Sequence, residues 1–247
     1  MVNVNARATG ARERIVEATA ELLARGGREA VSTRAVSAAA GVQAPTLYRQ
    51  FGDLQGLLEV TARETLAAYV REKATHEPTD DPLEDLRRGW DLHVAFGLAN
   101  PAVYTLIYGD PVAGAHTLAA RDGLAVLHRL VTRVAQAGRL RVGVPLAVGL
   151  ISAAGEGVTL SLIGTPPEAR DPHLPAALRE AVLAAITIAH LQGSASQERP
   201  GADRVAARAT ALQAVLSEAP DVLSPAERHL LGEWLDRLTT PGVPASS

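Results

Sequence analysis

STRAVSAAAGVQAPTLYRQF, residues 32–51, holds two short helical stretches joined through Gly41-Val42, and its reading decides that of the whole chain. Ser32 and Thr33 are capping residues, whose hydroxyls can satisfy the free N–H groups at a helix start. The helix they open runs to about Ala40, with Val36, Ala39 and Ala40 as its inner face. Small residues at 38–40 let a following helix come close. Gly41 supplies the positive φ needed where one helix stops and the chain turns, and Val42 is the apolar plug that such a turn buries. Pro45 suits the first turn of a helix and not its middle, so a second helix starts near Ala44 or Pro45 and ends near Gly52. Leu47 and Phe51, four residues apart, face inward and leave Gln43, Ala44, Thr46, Tyr48, Arg49 and Gln50 toward the outside. A capped helix, a glycine turn and a second helix bearing Tyr48 and Arg49 predict a helix-turn-helix, which lays one helix in the major groove of duplex DNA.

Joined to RERIVEATAELLARGG (12–27) before it and continued through GVQAPTLYRQFGDLQGLL (41–58), this stretch resembles the N-terminal domain of the TetR (tetracycline repressor) family. The most specific part is Gly41-Val42 followed by Thr46-Leu47-Tyr48 and Phe51. The resemblance implies an all-α homodimer: a three-helix helix-turn-helix domain at the N-terminus and a larger helical domain that binds a small effector and releases DNA. It places a phosphate-contacting hydroxyl at Tyr48. Arg49 is assigned to phosphate or guanine, Thr33 to a cap and phosphate ligand together, and Arg34 to the phosphates beside it. Gln43 and Ala44, at the leading end of the second helix, are the base-edge candidates, Ala44 toward a thymine methyl. Thr46 completes the set of DNA-binding candidates. The plain alternatives are a Tyr48 that packs at a helix corner and an Arg49 that is a solvated charge. Two departures stand out. Members of the family usually carry Ser or Thr at the position of Gln43, and a lysine just after the phenylalanine where this chain has Asp53-Leu54-Gln55. Asp53 instead reads as the cap of the next helix.

The 247 residues, 47% of them apolar, suffice for a sizeable core and exclude a mostly disordered chain. No cysteine occurs, which removes disulfide scaffolds, thiol nucleophiles and thiolate metal sites. Net charge is −3, but residues 1–52 carry seven arginines against four glutamates. A modestly basic head on an acidic body suits a DNA module attached to another domain. Lys73 is the one lysine among 24 basic residues, so phosphate contacts fall to arginine, hydroxyls and helix N-termini. MVNVNARATGARER lacks the apolar core of a signal peptide, giving a cytoplasmic expectation.

Beyond residue 60 the chain reads as helices punctuated by proline and glycine, with no sustained period-two pattern. Helices are expected over 54–73, from Asp81-Pro82 onward with Leu83, Leu86, Trp90, Val94 and Gly97 inward, over AVYTLIY (102–108), and over 116–136. Segments 145–164 and 175–191 are apolar nearly all round. The first is long enough to suggest a membrane span, but Glu156 and several glycines favour a buried helical interface. By the resemblance these two segments form the homodimer contact, with Leu150 and Ile186 in it. A linker over 193–202 leads to two further helices, 204–218 and one begun by Ser224-Pro225-Ala226-Glu227, with Leu230, Leu231, Trp234, Leu235 and Leu238 as its buried stripe.

The domain plan is therefore 1–60 for DNA binding, 61–192 for effector binding and dimerisation, and 193–247 for a linker and C-terminal helical extension. Trp90, His93, Phe96, Tyr104 and Tyr108 include half of the eight scarce Phe, Trp and Tyr residues and, with His128, are the ligand-binding candidates. An ordinary aromatic core is the plain alternative. No second histidine stands at ligand spacing from His93, and no glycine-rich phosphate loop occurs, so neither a metal nor a cofactor is expected, nor catalysis or a membrane. The sequence predicts a DNA-binding transcriptional regulator, a ligand-responsive repressor of a palindromic double-stranded DNA operator with an effector of unknown identity. The alternative is a helical ligand-binding or adaptor protein that has lost sequence-specific DNA binding.

Overall fold

The computed structural model describes residues 3–73, 79–109, 118–188, 201–216 and 223–239. They are helical, in the order α1 Asn3–Gly26, α2 Thr33–Ala40, α3 Ala44–Phe51, α4 Leu54–Lys73, α5 Pro82–Ala99, α6 Pro101–Tyr108, α7 Leu118–Gln136, α8 Val144–Gly164, α9 Leu174–Ile186, α10 Gly201–Val215 and α11 Pro225–Thr239. The all-α expectation holds, with an N-terminal helix-turn-helix followed by a larger helical region. The linker over 193–200, the start of the seventh helix at His116, and His190 lie outside the described residues.

Two compact units divide the chain. The first comprises Met1–His76, Leu92–Gly123 and Thr159–Arg170. Its core joins Ile15 and Leu23 of α1, Val36 of α2, Leu47 of α3, and Leu57 and Leu58 of α4 to Phe96, Tyr104 and Ile107. Each of these nine is at most 1% exposed. Burying such side chains contributes about 1.5–3 kcal/mol apiece, so α5 and α6 stabilise the same core that fixes α2 and α3. Gly97 is what lets α5 approach: a Cβ there would stand 2.2 Å from Thr159 Cγ2 and 2.8 Å from the Tyr104 ring.

The second unit comprises Glu77–Asp91, Leu124–Val158 and Asp171–Ser247. Arginine–carboxylate pairs tie its helices. Arg133 donates to Asp85 Oδ2 at 2.5 Å and to the Thr79 carbonyl at 2.9 Å. Arg139 pairs with Asp81, Arg87 with Glu180, and Arg179 with both Asp91 and Glu180. Burial would raise the Asp85 carboxyl, but hydrogen bonds from Thr79 and Arg133 outweigh it and hold it below the usual carboxylate range. Arg87, hydrogen-bonded to Glu180, does the same for that carboxylate.

Two expectations are corrected in this unit. The helix expected over 175–191 stops at Ile186, and Thr187 is extended. Ile186-Thr187-Ile188 is a β-branched run, and its backbone exchanges hydrogen bonds of 2.9 Å with Arg139 and Arg141. Ile186 is fully buried within its own chain, so it does not belong to an exposed contact face. In α11, Leu235 is buried, but Leu230, Trp234 and Leu238 are 42–52% exposed, against the expected buried stripe. Helix α8 has the length and a mean hydropathy, 1.7, that could cross a membrane, with 39% of that window buried.

Candidate nucleic-acid interface

The turn between α2 and α3 is built by the residues that predicted it. Ser32 accepts a hydrogen bond from the Ala35 N–H at 3.2 Å, opening α2. Gly41 closes it in the left-handed region at φ 62, ψ 41. The Val42 N–H reaches back to the Ser37 carbonyl at 3.0 Å and that of Gly41 to Ala38 at 3.4 Å, which satisfies carbonyls the helix leaves open. Val36 and Ala40 are buried as expected, whereas Ala39 is exposed. Gln43 makes no side-chain cap at the start of α3. Asp53 does cap α4, accepting from the Gly56 N–H at 2.7 Å. At Gly56 a Cβ would stand 2.4 Å from the Phe51 carbonyl, so the close α3–α4 corner needs glycine there.

With Leu47 buried and Phe51 half-buried beneath it, α3 turns Gln43, Tyr48 and Arg49 outward, with Ala44 and Thr46 half-buried. Tyr48 is not a packing residue: it is 48% exposed. Its phenol oxygen lies 3.2 Å from Thr33 Oγ1, at the first turn of α2. That contact sets two hydroxyls side by side where α2 meets α3, with the exposed Arg34 next along the chain. Neither Arg34 nor Arg49 has an ion pair among the described residues. A surface with two adjacent hydroxyls and two uncompensated guanidinium groups has the chemistry that binds phosphate oxygens.

Two arginines that the sequence reading passed over hold this surface in place. Arg14 of α1 donates through Nε to the Ala40 carbonyl at 3.2 Å, the last carbonyl of α2 before the turn. Arg12 stacks its guanidinium 5.7 Å from the Phe51 ring centroid and pairs with Glu64 of α4 at 2.7 Å. Their partners are 26 to 52 residues away in sequence, so no local spacing announces them.

The aromatic candidates divide between the units. In the first, Tyr104 and Tyr108 rings lie 4.7 Å apart, and the His93 ring is 5.3 and 5.5 Å from them. The Tyr104 hydroxyl is 2.7 Å from His93 Nε2. Burial pushes the His93 imidazole down to about 4. It is thus neutral at physiological pH, with one ring nitrogen protonated and the other an acceptor. Phe96 meets Tyr69 of α4 edge-on at 5.4 Å, so the cluster reaches the helix that follows the turn motif. Trp90 and His128 belong to the second unit. Trp90 is buried with its indole N–H unpartnered, and His128 is exposed beside Thr132. Among the described residues no group of three or more His, Asp or Glu could hold a metal ion.

Residues 15–61 match the family described as bacterial regulatory proteins, tetR family. Solved structures share the fold more widely. A TetR-family transcription regulator from Marinobacter aquaeolei VT8 is 22% identical, with a TM-score of 0.52, over 75% of this chain and 100% of that one. The fatty acid degradation regulator of Bacillus halodurans is 17% identical at a TM-score of 0.57, over 73% and 96%. A transcriptional regulator from Saccharomonospora viridis, solved in complex with choline, is 18% identical at 0.56, over 73% and 100%. At these identities the likeness is one of fold. No curated protein matches the chain.

Proposed function

We propose that this chain, whose residues 15–61 match the tetR family of bacterial regulatory proteins, is a ligand-responsive repressor of that kind acting in the cytoplasm. It binds a near-palindromic operator as a homodimer. The DNA-binding transcriptional role goes with the family; the operator symmetry, the effector and the sign of regulation are this reading. One observation carries it: the exposed Thr33–Tyr48 hydroxyl pair flanked by the unpaired Arg34 and Arg49, on the side of α2 and α3 away from their core. The hydroxyls and guanidiniums hold phosphates, which sets register. Gln43, Ala44 and Thr46 then read base edges at the front of α3, with the Gln43 side chain uncommitted to capping.

One such domain makes few contacts. Two in a twofold dimer read half-sites about 34–36 Å apart, one helical turn. The dimer contact falls on α8 and α9, residues 145–164 and 175–186. There Leu146 and Leu150 are 53% and 42% exposed, and nothing lies within 4 Å of a Cβ at Gly149 or Gly157. An open face of large and very small residues accepts another helix at short range.

The effector enters at His93, Phe96, Tyr104 and Tyr108. Phe96 and Tyr104 are closed in the core, so a ligand that parts them displaces Phe96 from Tyr69 and shifts α4 beneath the DNA-reading helices. Aromatic rings hold quaternary ammonium groups by cation–π attraction, and the Saccharomonospora viridis protein was solved with choline. A small cation of that kind is the first effector to test. By linkage, an effector that weakens operator binding is itself bound more weakly by the operator complex, by the same factor.

Selection of bound genomic fragments, followed by gel shift, tests the reading. Salt-dependent binding to a near-palindrome is expected, with choline titrated against free and operator-bound protein by calorimetry. Leu150→Glu is expected to give monomers in ultracentrifugation and to lose the two-site complex. Binding with no sequence preference overturns the repressor reading in favour of a helical adaptor.

A further inference from the structure

Helix α7 meets α6 and α4 at two neighbouring residues, and both contacts lie in the first unit. A Cβ at Gly123 would stand 3.1 Å from the Tyr108 hydroxyl oxygen, so the missing side chain is what seats that phenol against α7. One residue earlier, and about 100° round the helix, Asp122 accepts from Arg63 Nε of α4 at 2.6 Å. Both side chains of this pair are about half exposed. Tyr108 is half-buried, whereas Phe96 and Tyr104 are closed in the core, so of these three rings Tyr108 is the one a solute reaches first. Arg63 also has a neighbour on the DNA-reading side. Glu64 holds Arg12 at 2.7 Å, and the Arg12 guanidinium lies over the Phe51 ring at the end of α3.

We infer that Asp122, beside Tyr108, is the carboxylate of a cation subsite, and that Arg63 is its built-in occupant, displaced when a small organic cation binds. This rests on reading the aromatic cluster as the effector's place, and adds how a ligand there acts on α4. The chemistry of the seat selects the ligand. Tyrosine faces attract positive charge through their quadrupole and a carboxylate attracts it directly, so the two together favour a cation over a neutral or anionic solute. Arg63 already shows that Asp122 takes an organic cation. Among the described residues the guanidinium stacked on a ring is that of Arg12, so a cation at Tyr108 gains a ring contact that Arg63 lacks. Opening an exposed ion pair shifts an equilibrium by about fivefold at most, so a modest advantage suffices for the exchange. Once Arg63 is released, α4 has lost its tie to α7 at the residue next to Glu64, the partner of the arginine that braces α3.

Tetramethylammonium, which has charge and no hydrogen-bonding group, is the probe, titrated into the full-length protein by calorimetry. Asp122→Asn and Arg63→Gln break the same ion pair and should lower the thermal midpoint alike. Their effects on binding are expected to be opposite: Asp122→Asn weakens the ammonium by about fivefold, and Arg63→Gln, by removing the competitor, tightens it by about as much. The double variant should bind as Asp122→Asn does, because Arg63 acts only through that carboxylate. Arg71→Gln removes an exposed cation from the same helix and is expected to stay near wild type, which separates displacement from a change in overall charge. Weakening by both single variants, a gain in Arg71→Gln equal to that in Arg63→Gln, or no uptake of tetramethylammonium by the wild-type protein overturns the inference. Operator binding enters none of these titrations. A chain that finds no operator but shows the opposite signs keeps the subsite and loses the repressor reading.

Discussion

Acid is expected to destabilise the protein through His93. Its imidazole titrates at about 4 in the fold, against 6.5 for an exposed histidine, and burial is the cause. Between those values the unfolded chain binds a proton that the folded chain refuses. Stability from this group is therefore complete above pH 6.5 and falls as pH drops toward 4, below which the loss is complete. The gap of about 2.5 pH units, at about 1.36 kcal/mol each, makes the total about 3 kcal/mol, of which about 1.4 is gone by pH 5.5. Asp85 and Glu180 are held below the ordinary carboxylate range, so their own losses come at lower pH and do not overlap most of this window. Urea denaturation of wild type and His93→Gln across pH 4 to 7.5 isolates the effect, because glutamine does not titrate. The wild-type curve should fall by about 3 kcal/mol more than the variant over the window. Parallel curves, or a folded-state imidazole that titrates near 6.5 by NMR, would refute the reasoning.

The glycine at α5 sets up a second test. Gly97→Ala gains up to about 1 kcal/mol of helix propensity but forces a methyl to 2.2 Å from the stiff Thr159 side chain, and overpacking of this kind costs about 1–3 kcal/mol. A net loss, read as a lower thermal midpoint, is expected; a raised midpoint contradicts the packing argument. Arg133→Ala leaves Asp85, 8% exposed, with only its Thr79 donors, and should cost about 3 kcal/mol in chemical denaturation, with an effect under 0.5 kcal/mol excluding a buried pair. On DNA, Arg49→Ala should weaken operator binding and lower the slope of log affinity against log salt by about 0.9 if it neutralises one phosphate. Tyr48→Phe should weaken binding with little change in that slope, since it removes a hydroxyl and no charge, and wild-type affinity in both variants would clear this surface of a DNA role.

The turn motif was legible because its determinants are local. A cap hydroxyl, a left-handed glycine and a proline at a first turn each act within about four residues, and Ser32, Gly41 and Pro45 stand where their chemistry requires. The helix boundaries of α4, α6 and α8 followed for the same reason. What eluded the sequence depends on distant partners. Arg14 and Arg12 look like solvated charges until α2 and α4 supply a carbonyl and a carboxylate. Ile186-Thr187-Ile188 continues a helical pattern and leaves the helix only because residues 139–141 offer backbone partners. The stripe on α11 was read as buried, since periodicity reports which residues seek cover and not which chain provides it.

Arginine takes two roles in this chain, and partner geometry separates them. Around α5, α7 and α9 it is structural: Arg87, Arg133, Arg139 and Arg179 each meet a carboxylate. Around the turn motif Arg12 and Arg14 are also engaged, by Glu64 and by the Ala40 carbonyl. Within α2 and α3, Arg34 and Arg49 stand exposed and without an ion pair among the described residues. A net charge of −3 therefore says little about DNA binding, because what matters is which charges the fold leaves unmatched at the turn motif. On the proposed reading the phosphate-binding capacity lies in the unmatched pair. With few guanidiniums per domain and no lysine near α3, one copy binds DNA weakly and with a shallow salt dependence. In the proposed dimer the contacts are doubled, which would lift that to specific affinity, so every substitution that breaks the dimer should also erase operator recognition even where α2 and α3 are untouched.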